Sequence, residues 1–280
     1  MFSPRVTRYS VAYAYHRNHS KSLSQYKEIS NPKGRFLADP FVFKYNDSNY
    51  IFVEDFFFKD NKGRISVLKI NGDKQEFLDV IIEEDFHLSF PYVFKDDNKV
   101  YMIPESHENQ DIRLYKCIDF PKKWELEKVL MSNVSAVDTI LLKRDDTWFM
   151  LTNICSSNAI DHSELHIFYS DNLKSDFWKP IASGNPVIFD PLMGRNGGLF
   201  YHNKKTFRVN QVHGQAHYGK SFNVNEIILL SKNNYIEKKI SKVNANFIND
   251  IIATHHFSAN ESLAAIDFTR HQRLKKVLKN

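Results

Sequence analysis

Short apolar runs separated by polar turns fill this chain, and stripes of helical period are scarce. Ala38-Asp39-Pro40-Phe41-Val42-Phe43 leads through a polar turn, Lys44 to Ser48, into Asn49-Tyr50-Ile51-Phe52-Val53-Glu54-Asp55. Such a pattern predicts two β-strands joined as a hairpin. It recurs as Ser89-Phe90-Pro91-Tyr92-Val93-Phe94 followed by Val100 to Glu105, and as Ala136 to Leu142 followed by Thr147 to Asn153. Gly197 to Tyr201 followed by Thr206 to Gln211 is a fourth copy, and His255-His256-Phe257 followed by Ser262 to Asp267 a fainter fifth. Aligning Tyr50, Tyr101, Trp148, Phe207 and Leu263 gives steps of 51, 47, 59 and 56 residues. All-β units at a near-regular period of this size predict a propeller rather than a sandwich. The expectation is an all-β, five-bladed β-propeller with four strands per blade.

The remaining elements fit that frame. Third strands are expected at Arg64–Ile70, Ile112–Cys117, Leu165–Ser170 and Val224–Leu230, and fourth strands near Phe77–Ile82, Trp124–Leu130 and Trp178–Ile181. Thr7 to Tyr15 alternates like a strand but precedes the first repeat; it is positioned to close the ring by completing the last blade, which leaves no free edge. No Gly/Ser or Pro tract separates the copies, so residues 1–280 are read as one domain. With only 9 glycines, the turns must lean on Asn, Asp and Lys.

Composition narrows the function classes. The formal net charge is +5, and residues 270–280 carry Arg270, Arg273, Lys275, Lys276 and Lys279 without an acid, so the rest of the chain is balanced. No basic nucleic-acid stripe is indicated. The basic C-terminal tail offers a peripheral contact to an anionic membrane surface, against the plainer reading of a solvated helical end. Cys117 and Cys155 have no metal or redox spacing, no apolar run is long enough to span a bilayer, and no signal-peptide pattern opens the chain; the expected setting is cytoplasmic.

Candidate chemistry follows from the repeat. First strands of propeller blades line the central channel, so Asp39, Ser89, Asp138, Arg195-Asn196 and His255-His256 are expected near one mouth. Second-strand ends contribute Glu54, Glu105, Asn153, Gln211 and Asp267; whether they share that mouth depends on register, which the pattern leaves open. Acids flanked by Phe, Pro and Ala need a partner or a purpose. Converging carboxylates push their pKa values apart, as glycosidic-bond chemistry requires; any one of them could instead cap a turn. Asp39, Glu105 and Asp138 are the expected catalytic group. Glu54, His87, Arg195, Gln211, Tyr218, Glu226 and His256 are the expected substrate-binding residues, with Trp148 or Tyr218 available to stack on a sugar. His213, His217 and His255-His256 lack a metal-binding spacing, and Gly194-Arg195-Asn196-Gly197-Gly198 is not a phosphate-binding loop, so no metal or cofactor is expected.

Ala38-Asp39-Pro40-Phe41 with Glu54, Ile103-Pro104-Glu105-Ser106, and Ala136-Val137-Asp138-Thr139 together resemble the N-terminal domain of glucosamine inositolphosphorylceramide transferases and its bacterial relatives. The resemblance covers roughly residues 7–270. More distantly the chain is similar to the five-bladed propellers of glycoside hydrolase families 43 and 32. The resemblance implies a propeller that handles a carbohydrate or nucleotide-sugar substrate, in glycosyl transfer for cell-surface polysaccharide or glycoconjugate synthesis. It implies Asp39 as base or nucleophile and Asp138 as the residue that tunes the acid. That acid is a Glu from a later blade in the hydrolases; Glu105 and Glu226 are the candidates here, neither within a clear copy of the motif. Glycoside hydrolysis and non-catalytic glycan binding stay open as alternatives.

Overall fold

The computed structural model describes residues 5–15, 23–155, 162–214 and 217–273. Apart from two single-turn 3₁₀ helices the described elements are strands, gathered into five antiparallel sheets around a central axis. They form a five-bladed β-propeller. Blade one runs outward through Arg35–Tyr45, Ser48–Phe57, Lys62–Asn71 and Lys74–Ile82. Blade two comprises Ser89–Asp96, Lys99–Ser106, Asp111–Asp119 and Lys123–Ser132. In blade three, Ala136–Arg144, Thr147–Ile154 and Glu164–Ser170 are complete, and two fragments, Lys179–Pro180 and Ile188–Phe189, share the outer edge. Blade four contains Asn196–His202, Lys205–Gly214, His217–Leu230 and Tyr235–Asn244.

Both ends of the chain build blade five. Its inner edge is split between Ile251–Ala253 and Phe257–Ala259, both paired to Leu263–Arg273. Arg5–Tyr15 then lies antiparallel to that strand in unbroken register from Arg5 opposite Arg273 to Tyr15 opposite Leu263, and Lys27–Glu28 adds the edge. The N-terminal strand is therefore third in the last blade. The strand continues through Arg270, whose guanidinium pairs with Glu28 at 2.8 Å, so the basic segment is strand rather than helix as far as Arg273; residues 274–280 lie outside the described residues.

Asn and Asp make the turns. Asn46 and Asp47 (φ 44° and 58°) and Asn203 and Lys204 (φ 48° and 62°) form two-residue hairpin loops with both central residues left-handed. This is the geometry that matches strand twist, and short amide or carboxylate side chains tolerate it. Between blades one and two, Phe120 stacks on Tyr45 at 3.9 Å and meets Phe52 edge-on at 6.2 Å, while Phe52 also meets Trp124 at 5.9 Å. Across the ring closure, the Val42 amide donates to Ser258 Oγ at 3.0 Å. No helix among the described residues is long and apolar enough to cross a membrane.

Candidate active site: a carboxylate cluster at one mouth

Every inner strand breaks register at the same repeat position. The breaks fall between Ala38 and Phe41, Ser89 and Tyr92, Val137 and Ile140, and Asn196 and Gly198; in blade five the strand gives way altogether between Ala253 and Phe257. At four of these bulges one residue takes a left-handed backbone: Asp39 (φ 48°), Phe90 (42°), Asp138 (52°) and Gly198 (128°). A bulge re-aims a side chain out of the pleat. Asp39 and Asp138 are thereby turned toward the mouth, at a conformational cost that surrounding bonds must offset. The Asp39 amide donates to Asp267 Oδ2 (3.3 Å), Asp39 Oδ2 accepts from the Phe90 amide (3.2 Å), and Asn196 Nδ2 donates to the Asp138 carbonyl (2.8 Å).

Antiparallel pairing settles the register. Glu54 lies opposite Ala38, Glu105 opposite Ser89, and Asn153 opposite Val137, while the Gln211 amide bonds the Arg195 carbonyl at 2.8 Å. First-strand starts and second-strand ends thus share one mouth, where Asp39, Glu54, Glu105, Asp138 and Asp267 converge.

Asp267 is the anchor. Its carboxylate accepts from the amides of Asp39, His255 and His256 (3.3, 3.1 and 3.0 Å) and is ion-paired with His255 Nδ1 at 2.8 Å. Although burial works against it, the His255 charge and these donors hold its pKa below the usual carboxylate range. His255 in turn is raised above the ordinary imidazole value despite its own burial, by Asp267 and then Asp39, and its Nε2 faces Asp39 Oδ1 at 3.4 Å. Burial lifts Asp39 to about 7, with His255 opposing and Asp267 and Asp138 adding to the rise. Its Oδ1 makes no hydrogen bond among the described residues.

Glu54 and Glu105 are both pushed well above the usual range, first by burial. Asp39 and Glu105 add to the shift at Glu54; Asp138 adds to it at Glu105, where Arg195 opposes. Arg195 Nε donates to Asp138 Oδ2 at 2.6 Å, and Gln211 Nε2 reaches the same oxygen at 3.2 Å. His87 accepts the Gly63 amide on Nδ1 (3.0 Å), which leaves its other nitrogen protonated toward Glu54 Oε1 (3.4 Å). His256 is fully buried, driven down to about 3 by burial, and therefore neutral.

Beneath the acids the channel is closed. Phe41, Phe90 and His256, from blades one, two and five, touch ring to ring with centroids 4.9, 4.5 and 5.2 Å apart. All three are buried. This plug closes the channel on one side of the carboxylates and so adds to the burial that raises them.

Asp39, His255 and Asp267 carry donor atoms within 4.8 Å of one another. However, His255 spends Nδ1 on Asp267 and turns Nε2 to Asp39, so one imidazole bridges two carboxylates. This is the arrangement of a linked ion pair, not of donors converging on one ion.

Nine of the ten residues singled out from sequence can be placed. Asp39, Glu105, Asp138, Glu54, His87, Arg195, Gln211 and His256 belong to the cluster. Glu226 does not: it sits on the third strand of blade four opposite Phe207, paired to Lys205 at 2.8 Å, because the third strand carries that position toward the far end of the blade. Tyr218 lies within His217–Leu230, and its side chain is outside the described residues. Trp148 is buried and faces the opposite mouth. Sequence reasoning did not give His255 and Asp267 their linking role, nor did it find Arg208. The fully buried Arg208 donates to Glu237 (2.6 and 2.7 Å), Asn196 Oδ1 (3.1 Å) and the carbonyls of Met193 and Gly194 (2.7 and 3.1 Å), and so pins the segment that carries Arg195. A lone cation inside the apolar run Thr206-Phe207-Arg208-Val209 was the available signal.

Among solved structures the chain is similar to a thermostable family-43 glycoside hydrolase, at 17% identity and a TM-score of 0.63 over 87% of this chain and 92% of that one. It is also similar to the catalytic domain of a GH62 α-L-arabinofuranosidase from Coprinopsis cinerea, at 11% identity and a TM-score of 0.62 over 93% and 97%. At these identities the likeness is one of fold. Curated relatives are the glucosamine inositolphosphorylceramide transferase 1 proteins of Arabidopsis thaliana, 32% identical over 251 residues (84% of this chain, 32% of that protein), and of Oryza sativa subsp. japonica, 32% identical over 212 residues (74% and 28%). The chain spans about a third of the length of these relatives. With residues 20–256 matching the family model described as glucosamine inositolphosphorylceramide transferase 1, N-terminal, the chain belongs to that family.

Proposed function

We propose that the carboxylate mouth acts on carbohydrate and catalyses glycosyl transfer from an activated donor, a nucleotide sugar, to an acceptor hydroxyl. The observation that carries this reading is the division of labour among carboxyls held in one desolvated mouth. Asp39 is poised at about 7 with no hydrogen bond on Oδ1, and burial pushes Glu105 well above the usual carboxylate range beside the Asp138–Arg195 pair. Separating the pKa values of neighbouring carboxyls is how acid and base roles are assigned at a glycosidic bond.

In the proposed step Asp39 removes the proton of the acceptor hydroxyl as its oxygen bonds to the anomeric carbon. The bond from that carbon to the leaving oxygen breaks, and Glu105 returns a proton to it. The curated relatives are named as transferases, which supports transfer to a sugar or lipid hydroxyl; with water in the acceptor's place the same groups would perform hydrolysis.

The test is mass spectrometry of the purified protein incubated with a panel of nucleotide sugars and hydroxyl acceptors. A glycosylated acceptor is expected, with turnover falling at least ~10³-fold in Asp39→Asn, the scale of a lost general base, and unchanged in Glu226→Gln. Turnover that survives Asp39→Asn refutes the assignment, and release of free sugar alone replaces transfer with hydrolysis.

A further inference from the structure

We propose that the opposite mouth of the propeller is a binding site for an anionic amphiphile, taking one acyl chain into the central funnel and its anionic head onto a rim of lysines. The inner strands of the first three blades run from their bulges through apolar residues to a lysine at one repeat position: Lys44, Lys95 and Lys143. These three amines and Glu261 are the charged groups on the wall of a cavity of about 450 Å³ that is otherwise mainly apolar. That size is ordinary for a small-molecule site.

Phe41, which packs on Phe90 and His256 in the plug, also lines this cavity, and none of the five acids does, so the site is distinct from the carboxylate mouth.

Blade five explains why the funnel is open. Its inner strand below the bulge, Phe257–Ala259, carries Ser258 and Ala259 where blades one to three carry Phe43, Phe94 or Leu142 followed by a lysine, and these small side chains leave a gap in the wall. Phe43 and Phe200, which flank blade five, are consequently only half-buried, while Phe94 and Leu142, at the same repeat position in blades two and three, are 9% and 3% exposed. A second cavity of about 770 Å³ adjoins the funnel through this gap and shares Tyr201, Ala259 and Glu261 with it. The apolar space is thus longer than the funnel alone, as a chain-like guest requires.

The lysines are available. Lys44–Asp47 and Lys143–Asp96 are loose pairs at 3.8 and 3.7 Å with half-exposed amines, the kind that contribute little. Lys95 has no ion pair among the described residues. Three amines against one carboxylate on the wall favour an anion, and the apolar lining favours a chain behind it.

Isothermal titration calorimetry with dodecyl phosphate, inorganic phosphate and dodecyl maltoside, each below micelle formation, tests this. Dodecyl phosphate is expected to bind saturably, and decyl phosphate, two methylenes shorter, roughly 15-fold more weakly, since each buried methylene is worth about fourfold. Ala259→Trp, which fills the gap from a half-exposed position, should weaken dodecyl phosphate at least tenfold. Lys95→Glu should weaken dodecyl phosphate but not dodecyl maltoside, and it keeps the test decisive if the Trp variant folds poorly. Absence of saturable heat overturns the proposal. So does equal affinity for dodecyl maltoside and dodecyl phosphate, inorganic phosphate binding as tightly as its dodecyl ester, or indifference to both substitutions.

Discussion

Replacing Asp39 by Asn should make the protein more stable, and more so as pH rises. The native site holds Asp39 at about 7 against an ordinary value of 3.8. For an acid whose folded pKa is raised, ionisation is disfavoured in the native state alone, so stability is lost as pH climbs from the unfolded value to the folded one and is constant above it. At ~1.4 kcal/mol per pK unit, the cost is about 2 kcal/mol at pH 5 and about 4 kcal/mol by pH 8. Asn resembles the protonated carboxyl, tolerates the left-handed backbone at φ 48°, and keeps an oxygen for the Phe90 amide. It therefore escapes the penalty without a new strain. Urea unfolding at pH 5, 6, 7 and 8 should show the Asn variant's advantage growing by about 2 kcal/mol over that span and levelling above pH 7. An advantage that does not change with pH, or a variant less stable at pH 8 than at pH 5 relative to the parent, refutes the claim that desolvation sets the state of Asp39.

Two further substitutions probe what holds the mouth together. Gly197→Ala places a Cβ 2.4 Å from the His255 carbonyl, a backbone atom that cannot swing aside; a loss of about 2 kcal/mol or more in urea unfolding is expected, in the range of overpacked cores. Arg208→Met strands the Glu237 carboxylate and frees the segment carrying Arg195. It should cost about 3–5 kcal/mol, much of it recovered when Glu237→Gln is added, because an uncompensated buried charge is the larger part of that loss.

Much of the fold was legible because the hairpin repeats and its turns are written in residue type. Strand pairs alternate in the same way in four blades, and Asn46-Asp47, Asp97-Asn98, Asp145-Asp146 and Asn203-Lys204 mark where each reverses. The ring closure was legible too, since Thr7 to Tyr15 alternates like a strand ahead of the first repeat, and it pairs with Leu263–Arg273. The bulges were not. Nothing in Ser89-Phe90-Pro91 announces that Phe90 adopts φ 42°, yet that turn presents its amide to Asp39. The placement of Glu226 failed for a related reason: an acid on a third strand looks like one on a second strand until the distance along the blade is known. Asp267 and His255 stood at the right repeat positions, but only the contacts reveal that one carboxylate gathers three amides and an imidazole.

Those contacts also explain how five acids can share a mouth. Arg195 on Asp138 and His255 on Asp267 form two ion pairs that balance each other. Burial pushes Glu54 and Glu105 well above the usual carboxylate range, which disfavours their charge and with it the repulsion the cluster's composition suggests. One carboxyl is poised near neutrality, and it is Asp39, whose buried Oδ1 makes no hydrogen bond among the described residues. The residues that dry the site are its sequence neighbours: Phe41 lies two positions beyond Asp39, and Phe90 supplies both a plug ring and the amide on Asp39. The same short segments thus carry the reactive acid and exclude the water that would return it to an ordinary carboxylate. A substitution that opened the plug, leaving every acid in place, would remove the difference between Asp39 and its neighbours and with it the basis for assigning it the role of base.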